Sequence, residues 1–417
     1  MPKIALGDEG LIDHRTRSTA GAEFAISRRH SCTSIGLKSV CDHSNPQSPV
    51  RKQPRVEPDI AIETASSSLK SNRGGNVPWE IGRRYPLIPG RLSFAVHQDV
   101  EMTKQEIRTH PALYFFSSNC QNKYFPIFKD FGPVNLGVVY EFCEFLKRKL
   151  LSPELASHHL VYYAEVSRAQ RTNAAFLLSA FLVLECAMTP DEATEPFSCI
   201  SPSPFVPFRD AGNDKTTYAL SFVSCIRALH RARSLEWYVP EAFNLEEYDA
   251  LSSDPMDLNV LCPKMIGFKC PRKGKNPPKQ YLKFFRQKNV QLVIRLNESA
   301  GYSSEEFLQN GVGHMDLIFP DCTAPSDSIT TAFLDAIEQH TSPDGTVAVH
   351  CLAGRGRTGT LVAAWMMKNC GFSAAEAIAW LRLCRPGSVM GQQQNYLEGL
   401  EWCQWEWNRP VRVRSKQ

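Results

Sequence analysis

The sequence predicts an α/β fold divided between two tandem domains, each with a central mixed sheet flanked by helices. The chain has 417 residues, which is more than one hydrophobic core usually serves. Predicted strands alternate with predicted helices between residues 91 and 240, and the alternation starts again at residue 258. Hydrophobic residues make up 43% of the chain, which is enough for two sizeable cores.

Residues 1–90 are predicted to be a disordered, basic extension. They are rich in Ser, Arg, Pro and Asn and show little periodicity, so they bury too little apolar surface to offset the entropy lost on ordering. Their 13 Lys and Arg against 9 Asp and Glu account for the whole net charge of +4. The basic clusters at Arg51–Arg55 and Arg83-Arg84 are either a nuclear import signal or part of a solvated tail. So small a net charge does not indicate nucleic acid as a partner.

The fourteen cysteines are expected to be reduced thiols of a cytosolic or nuclear protein, because they lack paired spacing and no secretory signal is recognisable. The sequence contains no C-x-x-C pair, so we expect no metal site, and we expect no cofactor. The longest apolar run, Ala174–Met188, contains Glu185 and is shorter than the ~20 residues that a membrane-spanning helix needs. We interpret it as a core helix and expect no membrane insertion.

The first domain is predicted at residues 91–240. Its predicted elements are strands at Leu92–His97, Leu113–Ser117 and His159–Glu165, a helix at Asn135–Leu150 and a helix that opens near Arg171. Another helical stretch follows Ala211. Residues 241–257 are predicted to be an acidic linker, with its carboxylates between Glu246 and Asp257.

The second domain is predicted at residues 258–407, and residues 408–417 form a short basic tail. Its predicted elements are strands at Gln291–Leu296, Met315–Phe319 and Thr346–His350, and helices at Ser326–His340 and Arg357–Asn369. Ser373 and Glu376 form a capping box, so a further helix begins there and should run to about Cys384. This order places residues 350–359 at a turn from a strand into a helix.

Residues 350–359 read HCLAGRGRTG, which fits the pattern H-C-x-x-x-x-x-R followed by Thr. The two glycines let the loop curl until successive backbone N–H groups converge on one phosphate, and the following helix points its positive end at the same place. We expect Cys351 to be held there as the thiolate that attacks phosphorus. Arg357 would offer its planar fork to two phosphate oxygens. A nucleotide-binding P-loop is excluded, because no Gly-Lys-Ser/Thr follows the glycines.

The remaining predicted site residues surround this pair. His350 belongs to the catalytic motif, and Thr358 is expected to hydrogen-bond Cys351 and help it leave. The loop residues expected to bind the phosphate are Leu352, Ala353, Gly354, Arg355 and Gly356.

Displacement of a serine or threonine oxygen needs a proton donor. Asp321 is the candidate acid, because it follows a predicted strand and starts a loop that can reach the phosphate site. Asp316 and Asp327 are rivals, and Asp321 is alternatively a turn or helix-capping residue.

The sequence closely resembles the cell-division-cycle 14 dual-specificity phosphatases between Leu92 and Trp405. Besides the loop, the segments that carry this resemblance are Ala377–Trp380, Arg385–Val389, Pro207–Ala211, Thr172–Leu177 and Asp257–Asn259. The resemblance implies two phosphatase-like domains, of which the first has no chemistry. Arg168–Asn173 occupies the place of Gly354–Gly359 there, and Glu165 occupies that of Cys351.

The same resemblance supports Asp321 as the acid and makes Gln393 and Gln394 candidates for holding the attacking water. It implies phosphoprotein partners with phosphoserine-proline sites, followed by a basic residue, that cyclin-dependent kinases modify during the cell cycle. It also implies a location in the nucleus and cytoplasm, with the centrosome, spindle or basal body as further sites. The oligomeric state stays open.

Two positions in the loop depart from the family. Leu352 stands where the family usually has Lys, and Arg355 stands where it usually has Leu, so a positive charge has moved along the rim of the loop. In the linker, Glu246 and Asp249 are expected to line a groove for the substrate's basic residue, with an ordinary solvated helix face as the alternative. Two other functions stay open, which are a phosphatase for phosphotyrosine or phosphoinositide and a binding module without turnover.

Overall fold

Two sheets with a shared strand arrangement organise this computed structural model, which describes residues 76–118, 124–213, 216–298 and 301–402. The first sheet has the strand order β2-β3-β5-β4. Its strands are β2 (Tyr85–Ile88), β3 (Leu92–His97), β4 (Leu113–Phe116) and β5 (His159–Glu165). β2 runs antiparallel to β3, whereas β3, β5 and β4 are parallel. A separate parallel pair joins β1 (Val77–Pro78) to β6 (Ile200–Ser201).

The first domain has five α-helices among the described residues, one of which is long and apolar. They are α1 (Val100–Thr109), α2 (Leu136–Leu150), α3 (Arg168–Glu185), α4 (Pro190–Ser198) and α5 (Phe222–Ser234). α3 contains most of the apolar run that begins at Ala174, and its side chains from Ala174 to Leu184 are buried, so this run is a core helix. Within the described ranges, no helix is both long and apolar enough to cross a membrane.

The second sheet repeats the arrangement and adds one strand, in the order β10-β9-β11-β8-β7. Its strands are β7 (Leu258–Cys262), β8 (Met265–Lys269), β9 (Val290–Arg295), β10 (Gly313–Asp316) and β11 (Thr346–Cys351). β7 is antiparallel to β8, and the other four strands are parallel. The α/β prediction of two tandem domains, each with a mixed sheet flanked by helices, is confirmed.

Seven α-helices lie in the linker and the second domain among the described residues. They are α6 (Leu245–Ser252), α7 (Pro278–Gln287), α8 (Glu305–Leu308), α9 (Asp327–His340), α10 (Gly356–Cys370), α11 (Ala374–Cys384) and α12 (Gln392–Trp402). The capping box at Ser373 and Glu376 is present, and α11 ends at Cys384 as predicted. Ser326 is the N-cap of α9, so that helix begins one residue later than predicted.

Two predicted boundaries need correction. The extension was predicted to be disordered as far as residue 90, but β2 pairs with β3, and Tyr85 and Leu87 are buried. Four residues are too short a stretch for alternation to be recognised in the sequence. The strand predicted at Met315–Phe319 ends at Asp316 instead, because the chain then leaves the sheet. The Arg51–Arg55 cluster and the basic tail lie outside the described residues.

The two domains are in direct contact through stacked rings, an ion pair and a hydrogen bond. Trp237, which follows α5, stacks on Phe372 with ring centroids 5.2 Å apart, and Arg231 of α5 pairs with Glu376 of α11 at 3.2 Å. Asp210 of the first domain accepts a hydrogen bond from the backbone N–H of Gly391 at 2.9 Å. The first domain therefore holds both the core and the loops of the second.

The two central strands end differently. β11 ends at Cys351, and four residues separate it from α10, whereas β5 ends at Glu165 and only two residues separate it from α3. The corresponding positions of Glu165 and Cys351 match the expected degenerate repeat. In the first domain the chain has wound into the helix before a phosphate loop can form.

The longer turn depends on Gly354. Its φ is +65°, and an added Cβ would lie 2.0 Å from the carbonyl oxygen of Phe268. A side chain at this position is therefore excluded both by backbone conformation and by space.

Gly354→Ala is expected to lower the free energy of unfolding by roughly 3 kcal/mol, because the φ penalty of about 1–2 kcal/mol is joined by a forced movement of the loop. Urea denaturation followed by fluorescence measures the loss. Gly311→Ala is the matched control, since Gly311 also has a positive φ of +77° but no atom within 4 Å of the added Cβ. Equal losses in the two variants would contradict the packing argument.

Candidate active site

The loop after Cys351 turns its carbonyl groups toward the scaffold. The carbonyl of Leu352 accepts a hydrogen bond from the N–H of Cys270 at 3.1 Å. The carbonyls of Ala353 and Gly354 accept from the Arg385 guanidinium at 2.8 and 2.7 Å. In a trans peptide the next N–H points away from the carbonyl, so the N–H groups of residues 353–355 face the opposite side. That arrangement is an anion-binding nest.

Arg385 is itself buried and fixed. It donates to Asn259 Oδ1 and to Asp257 Oδ1, both at 2.7 Å. Burial alone would raise the pKa of Asp257, but the attraction of Arg385 and Arg355 outweighs it and holds this pKa below its usual value. A buried ion pair therefore anchors the loop from behind. In the sequence Arg385 and Asp257 belong only to segments that carry the family resemblance, and nothing in their spacing indicates that they meet.

Arg357 lies in the second position of α10 and is buried. Its Nη1 donates to the carbonyl of Phe319 at 2.8 Å and to that of Leu296 at 3.3 Å. These two anchors fix the plane of the guanidinium. Its Nε lies 3.2 Å from Asp321 Oδ1. The predicted arginine and the predicted acid are thus next to each other.

The three aspartates proposed as acids have different surroundings. Asp316 is held by two hydrogen bonds of 2.7 Å from Arg295, which hold its pKa below the usual value although burial acts in the opposite direction. Asp327 is the first residue of α9 and is exposed. The side chain of Asp321 is 54% exposed, in the loop that reaches Arg357. Only Asp321 combines access with proximity to Arg357.

His350 lies beneath the loop, fully buried. Its Nδ1 is 3.1 Å from the carbonyl oxygen of Cys351, and its Nε2 is 2.7 Å from the hydroxyl of Tyr302. Burial lowers the pKa of His350 to about 3, so the ring is neutral at physiological pH. A neutral ring with its hydrogen on Nδ1 donates to the Cys351 carbonyl. The sequence did not identify Tyr302.

The predicted bond between Thr358 and Cys351 is not formed in the structure. Thr358 is completely buried, and its hydroxyl has no hydrogen-bond partner among the described residues. The hydroxyl is therefore available to a group that enters or changes within the loop.

Gln393 and Gln394 differ in their relation to the loop. Gln393 donates to the carbonyl of Thr323 at 3.0 Å and accepts from the N–H of Met390, and its Oε1 would lie 3.1 Å from a Cβ on Gly356. Gln394 accepts from Arg382 at 2.7 Å and donates to Gly391. Gln393 thus links the loop that carries Asp321 to the start of α10, whereas Gln394 braces the chain behind it.

The rim of the loop includes atoms of both domains. Leu352 is exposed, while Arg355 donates to the carbonyl of Pro386 at 3.0 Å and lies 3.7 Å from Asp257. A Cβ on Gly387 would touch Arg355 and also Ile127 and Ala211 of the first domain. Burial and the nearby Arg385 lower the pKa of Arg355 to about 10, so its charge persists at neutral pH. The positive charge of Arg355, which the family usually carries at the position of Leu352, is thus directed at Pro386 and Asp257.

The acidic linker is the helix α6. Glu246 is exposed and Asp249 is half-buried on it. The helix is joined to the site through Tyr248, which donates to the carbonyl of Cys384 at 3.0 Å, and through Ser252, which accepts from Asn259 at 2.8 Å. These two contacts join α6 to the segment before Arg385 and to β7 through neutral groups.

Within the described ranges, no group of three or more His, Cys, Asp or Glu side chains has an arrangement that could hold a metal ion.

Comparisons with known proteins agree with this geometry. A family model described as "Dual specificity protein phosphatase, N-terminal half" matches residues 86–232, and one described as "Polymorphic toxin system, DSP-PTPase phosphatase" matches residues 266–371. The chain is 37% identical over 340 residues to "Dual specificity protein phosphatase CDC14AB" of Danio rerio, covering 79% of this chain and 54% of that protein. It is 34% identical over 358 residues to "Dual specificity protein phosphatase CDC14B" of Mus musculus, covering 82% of this chain and 71% of that protein.

Among solved structures, Tk-PTP in the active form is 29% identical, with 35% of this chain and 96% of that chain covered and a TM-score of 0.31. The chain spans about half the length of the Danio rerio relative. Since the mouse relative is covered over more than two thirds of its length at 34% identity, the chain belongs to the CDC14 family of dual-specificity protein phosphatases.

Proposed function

We propose that this chain is a cysteine-dependent protein phosphatase that hydrolyses phosphoserine-proline and phosphothreonine-proline sites, and phosphotyrosine in addition. The observation that carries the proposal is that the loop after Cys351 turns the N–H groups of residues 353–355 away from Arg385, and that Arg357, which follows this loop, lies 3.2 Å from Asp321. Each supplies one requirement of phosphoryl transfer.

In the first step the Cys351 thiolate attacks phosphorus and the bond from phosphorus to the substrate oxygen breaks. Asp321 gives its proton to the departing oxygen, and the loop N–H groups and Arg357 stabilise the charge on the other phosphate oxygens. The product is the dephosphorylated side chain, and phosphate remains on sulfur.

In the second step water attacks the phosphocysteine. Asp321, now a carboxylate, accepts a proton from that water, and Gln393 is placed to orient it. The sulfur leaves as a thiolate, for which the unpartnered hydroxyl of Thr358 supplies a hydrogen bond. In the overall reaction, a phosphomonoester and water give an alcohol and inorganic phosphate.

The residues at the rim of the phosphate loop favour protein substrates over phosphoinositides. Leu352 places an apolar side chain where an extra cation would serve an inositol phosphate, and Arg355 is engaged with Pro386 and Asp257. A binding module without turnover is disfavoured by the intact pairing of Arg357 with Asp321.

The substrate class and the cellular role follow the family. We propose targets of cyclin-dependent kinases, with a basic residue after the proline, and action in the nucleus and cytoplasm during the cell cycle. The exposed carboxylate of Glu246 and the half-buried one of Asp249 support the preference for a basic residue. A peptide panel comparing phosphoserine-proline, phosphothreonine-proline and phosphotyrosine tests the substrate class directly.

Cys351→Ser is expected to abolish turnover of a small aryl phosphate while inorganic phosphate still binds, because the nest and Arg357 remain and the nucleophile is lost. Steady-state hydrolysis and calorimetric titration with phosphate measure the two properties. Cys370→Ser is the control, since burial raises the pKa of the Cys370 thiol to about 11 and it lies outside the loop. Residual turnover above a few per cent in Cys351→Ser would rule out Cys351 as the nucleophile.

Asp321→Ala is expected to slow hydrolysis of a phosphoserine peptide at least tenfold more than that of an aryl phosphate, whose leaving group needs little protonation. The measurement is the ratio of kcat/KM for the phosphoserine peptide to kcat/KM for the aryl phosphate. Asp327→Ala, which removes the exposed rival aspartate, is the control. If both substrates slow equally in Asp321→Ala, the carboxylate has a structural role only.

Asp249→Lys combined with Glu246→Lys is expected to lower kcat/KM for a phosphoserine-proline peptide with a downstream lysine by about 1–2 kcal/mol, or roughly five- to thirtyfold. The same peptide with alanine in place of the lysine is the control, and added salt should reduce the difference. Unchanged discrimination between the two peptides would mean that α6 does not line the groove.

A further inference from the structure

Three buried polar rings form a chain behind the nucleophile. The hydroxyl of Tyr302 lies 2.7 Å from His350 Nε2 and 2.8 Å from His314 Nε2. His350 in turn reaches the carbonyl of Cys351 through Nδ1 at 3.1 Å. The three rings come from β11, β10 and the segment before α8, so this contact joins three separate parts of the second domain.

The Cys351 carbonyl sets the direction of every hydrogen in this chain. A carbonyl oxygen only accepts, so His350 carries its hydrogen on Nδ1 and presents a lone pair at Nε2. Tyr302 must then donate its O–H to His350. The hydroxyl oxygen of Tyr302 is left to accept, and His314 supplies the hydrogen from its own Nε2. The opposite direction would place two lone pairs against each other at Cys351.

The surroundings keep these groups in fixed protonation states. Burial raises the pKa of Tyr302 and lowers the pKa of both His314 and His350. The titratable and charged groups that face the chain are Arg295, Asp316 and Cys270. Arg295 lies over the ring of Tyr302 at 5.1 Å and is paired with Asp316, so its charge is compensated. The two histidine rings are therefore neutral and the tyrosine hydroxyl is protonated at neutral pH, where these hydrogen-bond directions hold.

We propose that Tyr302 and His314 are positioning residues that lock the tautomer and orientation of His350, and that this lock keeps the Cys351 carbonyl turned away from the phosphate nest. The proposal rests on the proposed function of Cys351 as nucleophile. It assigns chemistry to two residues that never touch the substrate.

Removal of the Tyr302 hydroxyl frees His350 to move its hydrogen to Nε2. The Cys351 carbonyl then loses its donor, and the peptide that follows can rotate. Fewer N–H groups point at the sulfur, so the thiolate is less well stabilised. The phosphate oxygens still meet Arg357, whose two carbonyl anchors at Phe319 and Leu296 do not involve His350.

The experiment compares Tyr302→Phe with wild type in the full chain. The rate of Cys351 alkylation by iodoacetate, resolved by mass spectrometry of the Cys351 peptide, is measured from pH 4 to 9. We expect its half-maximal pH to move up by roughly half to one unit, and kcat/KM for an aryl phosphate to fall about fivefold below that pH. Inhibition by inorganic phosphate should change less than twofold.

Tyr281→Phe is the matched control. Tyr281 is buried in the same core as Tyr302 and packs on Phe268, which also contacts the His350 ring, but its hydroxyl accepts from Asn276 at 2.8 Å. A loss of stability without a shifted alkylation profile is expected for Tyr281→Phe. The same result for Tyr302→Phe would overturn the proposal.

His314 supplies a rescue test. His314→Leu removes the donor to Tyr302 and should shift the alkylation profile in the same direction, whereas His314→Gln keeps an N–H donor and should restore most of it. Identical profiles for the Leu and Gln variants would overturn the role of His314. Alkylation of Cys351 needs no turnover. If the wild-type chain hydrolysed no phosphate ester, the proposed function would be refuted, but the alkylation test of Tyr302 and His314 would still be valid.

Discussion

The grip of Arg385 on the phosphate loop is the interaction on which the active-site geometry depends. Its guanidinium donates hydrogen bonds to the carbonyls of Ala353 and Gly354, and Asp257 balances its charge. A loop of consecutive N–H groups aimed at one point is an unstable conformation for a chain alone, because like dipoles face each other. The buried guanidinium compensates by donating hydrogen bonds to the carbonyl ends of the same dipoles. Removing either member of the pair would leave the other charged and buried.

The same interaction explains how the two domains cooperate. Asp257 and Asn259 lie at the start of the second sheet, and Asn259 also binds Ser252 on the linker helix α6. The segment that follows Arg385 passes Gly387 against the first domain and ends at Gly391, which binds Asp210. The segment that begins at Arg385 thus connects the loop to both domains.

The sequence predicted much of this structure, and the reasons are local. The strands that end at His97, Glu165 and Cys351 are short apolar runs, and the helices after Asn135, Ser326 and Ser373 begin at capping residues. Cys351 and Arg357 were found because their spacing along the chain is itself the chemical requirement. Asp257, Tyr302 and His314 were missed as site residues because their roles arise only when distant strands meet. The Thr358 hydroxyl shows the converse, since its motif position predicted a bond to Cys351 that the structure does not contain.

The short turn after β5 bears on how the first domain lost its chemistry. The chain from Glu165 to Arg171 is as long as the chain from Cys351 to Arg357, but α3 begins after two residues and α10 after four. Helical backbone therefore occupies the place of the anion-binding loop, whichever residue replaces Glu165. A cysteine there would supply sulfur without the converging N–H groups that bind phosphate. The difference between the two domains is thus one of backbone conformation, and no substitution of Glu165 alone removes it.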